Sequence, residues 1–218
     1  MQKYINNFWN NNKRFVLFIF LMLVFRSAVA DWNDVPTGSM KPTIVEGDRI
    51  FINKLAYDIQ LPFMQYSLFK LSDPQTNDII IFESAVAQKR LVKRVIGVPG
   101  DTIEMINNRL FINNKAIDYQ HNKQDENLGF RILKEQLTDV SHKIQITQQD
   151  EGYGNFSPVV VPNDHYLVLG DNRNQSADSR MIGFIPRNEI IGRTNRVAFS
   201  LDYENYYLPR LTRFFKRI

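Results

Sequence analysis

The 218-residue chain contains no cysteine. Disulfides, thiolate metal sites, zinc ribbons and cysteine nucleophiles are thereby excluded. Histidine is nearly as scarce, with only His121, His142 and His165. None stands in a recognisable triad context, so surface or turn positions are the plainer reading. An excess of one charge is also missing: 27 Lys and Arg face 23 Asp and Glu, a net +4 with a pI near 9.2. So mild a balance suits contact with anionic lipid and is too diffuse to argue for nucleic acid. No segment is of low complexity, and no metal or cofactor is expected.

Long apolar runs are absent except for one, Phe15 to Phe25. Lys3, Lys13 and Arg14 precede it, and Arg26-Ser27-Ala28-Val29-Ala30-Asp31 follows. A basic start, a short apolar core and Ala28-Val29-Ala30 fit a cleaved secretory signal. The same residues fit a retained anchor from Phe15 to Trp32, with Arg26 reaching the interface. The shortness of the run favours the first reading; an arginine directly after it favours the second. Both place everything from Asp31 onward outside the cytoplasm, with the N-terminus inside.

Beyond that segment the pattern is of short strands. Asp48 to Lys54, Asp78 to Phe82, Arg90 to Val98, Val159 to Val161, His165 to Leu169, Ile190 to Arg193 and Arg196 to Ser200 are rich in β-branched and aromatic residues and bounded by turn signals. Thr102 to Ile112 reads as a tight hairpin about Asn107-Asn108. Almost no helical periodicity interrupts this, which predicts a mainly antiparallel β protein. Asp118 to Pro158 is polar and irregular and reads as a small inserted lobe. Tyr57 to Lys70 is aromatic-rich; core packing is preferred slightly over a loop dipping into a membrane. Leu208 to Ile218 mixes Arg210, Arg213, Lys216 and Arg217 with apolar residues, as a lipid-resting tail or a solvated one.

Three stretches hold candidate chemistry. In Pro36-Thr37-Gly38-Ser39-Met40-Lys41-Pro42-Thr43, a serine lies between flanking prolines that fix φ. A serine needs a base. In Leu91 to Val98, alternation puts Leu91, Lys93 and Val95 on one face and Val92, Arg94 and Ile96 on the other. A lysine on an apolar face can lose its proton, which an arginine cannot; a strand lysine that snorkels to water explains the pattern more simply. The third stretch, Gly170 to Arg180, is a dense polar loop in which Asp171 and Asp178 would pair Arg173 or Arg180. Such loops are usually structural, although a hydroxyl there would suit the orienting of a neutral amine.

Taken together and in this order, the three stretches resemble the nucleophile, lysine and third boxes of bacterial signal peptidase I, the membrane-bound leader peptidases, and Arg26-Ser27 resembles the pair that leaves the family's anchor. The resemblance covers most of the chain. It implies a mainly β, antiparallel catalytic domain with a small inserted β lobe and one N-terminal transmembrane helix. The segments would be a cytoplasmic N-terminus at 1–14, an anchor at 15–32, catalytic β parts at 33–104 and 161–207, the lobe at 105–160 and a basic tail at 208–218. It implies a serine–lysine dyad of Ser39 and Lys93. The Ser39 N–H and the Thr37 hydroxyl would form an oxyanion hole; many relatives have serine at the latter position. Ser176 would orient Lys93, and Asp178 with Arg180 would hold the loop, although Asn174-Gln175 departs from the family's usual Asp-Asn. Val35, Pro36, Met40, Ile44, Leu91 and Val92 would receive an extended Ala-X-Ala substrate. The implied partners are exported preproteins and the phospholipid of the plasma membrane, for a monomer with its catalytic domain on the extracytoplasmic side. Ala28-Val29-Ala30 has the substrate pattern of a self-cleavage site. The competing readings are a self-cleaving Ser–Lys regulator, which would need a helix-turn-helix in place of the apolar segment, and a non-enzymatic anchored binding domain.

Overall fold

The computed structural model describes residues 2–64, 66–121, 129–147 and 154–218, with the backbone alone for 2–11 and His121. The polar lobe falls partly outside these residues, as does the side chain of His121. The chain begins with helix α1, Gln2–Ala28, and passes at once into strand β1, Ala30–Asp34. Trp32, expected at the end of an anchor, therefore lies in a strand. Among the described residues no helix is long and apolar enough to cross a membrane.

The strands follow in order: β2 Asp48–Asn53, β3 Asp58–Gln60, β4 Ser67–Lys70, β5 Ile79–Ser84, β6 Lys89–Gly97, β7 Thr102–Ile106, β8 Arg109–Ile112, β9 Lys115–Ala116 and β10 Asp118–His121. Then come β11 Phe130–Gln136, β12 Ser141–Thr147, β13 Phe156–Val160, β14 His165–Leu169, the one-turn helix α2 Ser179–Ile182, β15 Ile185–Pro186, β16 Ile190–Thr194, β17 Val197–Asp202 and β18 Leu208–Pro209. The strand pairings are antiparallel, as expected. The main sheet has the order β15-β14-β6-β5-β16-β2-β17-β18, with β1 added on β2. Smaller sheets are formed by β13-β7-β8-β9, by β10-β11-β12 and by β3-β4.

The strand β5 shows why the main sheet is stable. Ile79 and Ile81 enter one buried cluster with Val35, Met40, Ile44 and Ile50, while Ile80 and Phe82 enter another with Tyr57, Val95 and Val168. A continuous apolar run is what a central strand buried on both faces requires. The β7–β8 and β8–β9 turns are equally local in origin. Asn107-Asn108 and Asn113-Asn114 all adopt positive φ, the conformation that two-residue hairpins need and asparagine tolerates.

One expectation about surfaces is corrected. The aromatic stretch after Tyr57 is not core: Phe63 is 62 % and Phe69 68 % exposed, and Met64, Tyr66 and Leu68 also face outward from the β3–β4 hairpin. Of its described aromatic residues Tyr57 alone is buried, its hydroxyl donating to Asp78 at 2.8 Å. In the basic tail two arginines are tied to the domain, while Leu211, Phe215, Lys216 and Arg217 stay exposed. Arg213 pairs with the buried Asp48, and Arg210 with Asp202 and the Glu46 carbonyl.

Candidate active site

Ser39 sits in the turn-rich segment between β1 and β2, and Lys93 in the middle of β6. The side chain of Lys93 is directed away from Val92 and Arg94 by strand alternation, onto the face it shares with Leu91 and Val95. Lys93 is 2 % exposed and directs Nζ to Ser39 Oγ at 2.8 Å and to the Val92 carbonyl at 3.0 Å. No carboxylate forms an ion pair with it among the described residues. Burial pushes its pKa down to about 8, against the opposing pull of Asp178 and Asp171, while Lys89 and Arg180 push in the same direction as burial. Both acids are committed to an arginine rather than paired with Lys93: Asp178 grips Arg180 at 2.8 and 2.7 Å, and Asp171 grips Arg94 at 2.8 and 2.7 Å.

A serine hydroxyl 2.8 Å from an amine that gives up its proton near pH 8 is a nucleophile with its base in place. Once neutral, the amine has one lone pair and two N–H groups. It can donate to the Val92 carbonyl and accept the Ser39 proton, reversing the direction of the contact seen for the ammonium form.

The loop after β14 holds the serine's backbone. Asn172 donates its main-chain N–H to the Ser39 carbonyl at 3.0 Å and its side-chain amide to the Gly38 carbonyl at 3.1 Å. Gly170 makes this approach possible: a Cβ there would lie 2.5 Å from the Ser39 carbonyl and closer still to Ser176 Oγ. Ser176 thus lies by Gly170 and the Ser39 carbonyl, but its buried hydroxyl has no hydrogen-bond partner among the described residues. Asp178 caps α2 and also accepts from the Gly170 N–H at 3.0 Å, so its carboxylate ties the start of the loop to its end. The Ser39 N–H and the Thr37 hydroxyl make no hydrogen bond among the described residues, and Thr37 is exposed.

The apolar residues expected around the substrate divide between two clusters. Val35, Met40 and Ile44 are buried in the first, with Val92 packed against it; Leu91 packs on the second; Pro36 is exposed. Two strand edges are free beside them. Among the described residues β1 pairs only with β2, and the Lys89–Lys93 half of β6 pairs only with β5. Arg90 Nη1 reaches from one edge to the other and donates to Asn33 Oδ1 at 3.1 Å.

Three features escaped the sequence reading. The clamp by Asn172 is one. The second is the pairing of the loop: Asp171 holds Arg94 and accepts from Thr43 Oγ1, and Arg173 holds the fully buried Glu135 of β11 at 2.5 Å, instead of pairing within the loop. The third is His142, expected at a surface or turn and found buried. Its Nε2 lies 3.1 Å from Glu135 Oε2 but off the hydrogen-bonding line, and burial with the Arg94 charge pushes its pKa down. His165 is partly exposed and its Nδ1 lies 2.8 Å from the Asn163 carbonyl. Neither histidine whose side chain is described contacts Ser39.

Comparison with known proteins identifies the family. The family model for signal peptidase, peptidase S26, matches residues 8–199. Signal peptidase I of Pseudomonas fluorescens is 33 % identical over 216 residues, covering 92 % of this chain and 76 % of that protein. Signal peptidase I of Rickettsia bellii (strain OSU 85-389) is 35 % identical over 218 residues, covering 88 % and 75 %. A crystal structure of a signal peptidase I from Enterococcus faecalis V583 is 29 % identical and covers 56 % of this chain and 97 % of its own, at a TM-score of 0.37. With the match running through the serine, lysine and third stretches alike, this chain belongs to the signal peptidase family, peptidase S26.

Proposed function

We propose that this signal peptidase cuts exported preproteins with Ser39 as nucleophile and Lys93 as general base, working at a membrane surface. The observation that carries the residue assignment is the 2.8 Å contact between Ser39 Oγ and a buried lysine amine that has no counter-ion. In the first half-reaction Ser39 Oγ attacks the scissile carbonyl as Lys93 Nζ takes its proton. The resulting ammonium returns the proton to the departing amine. Water then hydrolyses the acyl-serine, with Lys93 again the base. The charge on the tetrahedral oxygen is received by the uncommitted Ser39 N–H and by the Thr37 hydroxyl turning toward it. The substrate enters as an extended strand between the free edges of β1 and β6, its small side chains facing the apolar floor made by Val35, Met40, Ile44, Leu91 and Val92.

Membrane contact is supported by the outward-facing Phe15, Phe18, Phe20 and Phe25 of α1 and by the exposed tip of the β3–β4 hairpin. The two are adjacent, since the Phe63 N–H donates to Ser27 Oγ at 2.6 Å. Beside them Arg26 stacks 4.7 Å over Trp32 and bonds Asp31, a cation held at the boundary between apolar helix and polar domain. In this reading α1 anchors a monomer whose catalytic domain lies outside the cytoplasm.

The test is cleavage of a preprotein bearing an Ala-X-Ala site, with N-terminal sequencing of the product. Wild type cuts after the second alanine and Ser39→Ala does not. Cleavage by Ser39→Ala at the wild-type rate, or a cut unrelated to small residues, overturns the assignment.

A further inference from the structure

A second cavity lies away from Ser39, between the main sheet, the β11–β12 hairpin and the C-terminal residues. Its volume is about 710 Å³ and it opens to solvent. Small-molecule sites commonly occupy roughly 300–1,000 Å³, so it is large enough for a whole ligand rather than a single ion. Its rim is cationic: Lys134, Lys143, Arg193, Lys216 and Arg217 all line it, and Arg94 forms part of its floor.

The acids nearby are already engaged. Asp78 holds Arg193 at 3.1 Å, Asp171 holds Arg94, and Glu135 holds Arg173. Lys134, Lys143, Lys216 and Arg217 have no ion pair among the described residues. Like charges therefore crowd one concave surface. The cost is felt by Lys216, whose pKa is pushed down by burial and by the Arg213 and Lys143 charges, with Asp48 opposing. His142 also lines the cavity, and its buried Nδ1 has no hydrogen-bond partner among the described residues. Between the cations stand apolar side chains, Ile79, Ile132 and Val140.

We infer that this cavity is a binding site for a phosphate ester, its phosphate taken by Lys143, Lys216 and their cationic neighbours and its neutral body by the isoleucines. A phosphate offers several acceptor oxygens to lysine and arginine donors and relieves their mutual repulsion. The occupant would rest on the active-site scaffold from behind. Thr43 and Arg94 line the cavity, both hold Asp171, and the next residue, Asn172, clamps Ser39. The ester can come from a phospholipid headgroup or from a soluble metabolite; the chemistry of recognition is shared.

Titration calorimetry on the full chain in neutral detergent separates these. The probes are dihexanoyl phosphatidylglycerol and glycerol 3-phosphate. Wild type binds at least one of them, and Lys143→Gln/Lys216→Gln binds it at least about 10-fold more weakly while still cleaving a preprotein. Arg109→Gln/Lys115→Gln, which removes the same charge from β8 and β9, binds as wild type does. Tighter binding of the lipid probe assigns the site to membrane lipid, and tighter binding of the glycerol ester assigns it to a soluble ligand. No binding of either probe by wild type, or equal weakening in the two double variants, overturns the inference. The readout is binding, so it stands or falls separately from the dyad.

Discussion

Lys93 and Arg94 are neighbours on one strand, buried to 2 % and 3 % exposure, and the fold treats them in opposite ways. Arg94 donates two charge-assisted bonds to Asp171 and two more to Asn77, at 3.1 Å to its carbonyl and 3.0 Å to its side chain. Lys93 receives a serine hydroxyl and a carbonyl, and no carboxylate. With burial the same, chemistry and compensation both differ. An arginine keeps its charge wherever it is buried and needs partners to bear the cost; a lysine buried without a carboxylate partner can give up its proton and become a base. The acids near Lys93 are present but committed to Arg94 and Arg180, which is how a polar site can still leave an amine unpaired.

The largest effect expected on this contrast comes from removing the unpaired member. Lys93→Ala should lower kcat/KM for preprotein cleavage by about 10³–10⁴-fold with the fold retained, as followed by steady-state kinetics and circular dichroism. A variant with wild-type kinetics would end the distinction between the two cations. Removing the partner of the paired member should act on stability instead. Asp171→Ala leaves Arg94 buried without a carboxylate, held only by its Asn77 acceptors, at a cost of about 3–5 kcal/mol and a melting temperature roughly 10 °C lower in detergent. A melting curve unchanged from wild type would show that Asp171 is not what compensates the buried Arg94.

The next test sharpens the cost of withholding a counter-ion. The folded pKa of Lys93, about 8, lies below its ordinary 10.5. Below pH 8 both folded and unfolded chains hold the proton, and the fold bears the full cost of a buried ammonium. Between pH 8 and 10.5 the unfolded chain binds more protons, so wild-type stability rises. Lys93→Met should thus be more stable than wild type by up to about 3 kcal/mol at pH 7, with the gap closing near pH 10.5. Wild-type kcat/KM should rise through pH 8 for the same reason, and a flat profile from pH 6 to 9.5 with chemistry limiting would remove lysine as the base. The smallest effect is expected at Asn172, which positions the serine without touching substrate. Asn172→Ala should lower kcat about 10–100-fold while KM is held, because only the placement of Ser39 suffers.

The parts of this arrangement that were legible beforehand are those fixed by neighbours in sequence. Asparagine pairs gave the hairpin turns, and alternation in Leu91 to Val98 put Lys93 and Arg94 on opposite faces before any partner was known. Three short motifs in order pointed to Ser39, Lys93 and the Gly170 loop. What could not be read were partners chosen at long range. Arg94 finds Asp171 across 77 residues and Arg173 finds Glu135 across 38, and no local pattern distinguishes these from the loop-internal pairs expected. The β3–β4 hairpin differs for another reason: an exposed aromatic surface has the same composition as a core, and composition does not say which side is packed.

The passage from α1 into β1 has a mechanical consequence. A single residue, Val29, separates them, and it is held at both ends, by its N–H to the Phe25 carbonyl at 2.8 Å and by its carbonyl from the Lys54 N–H at 3.0 Å. The Lys54 ammonium adds a bond to the Ser27 carbonyl at 2.8 Å. There is no joint here: helix and sheet turn as one body, and a rotation of α1 about its axis is geared directly to the open edge of β1 and, through it, to the segment that carries Ser39. Glycines inserted at Val29 would put a hinge where the fold has a weld, leaving the dyad intact but free to face in any direction.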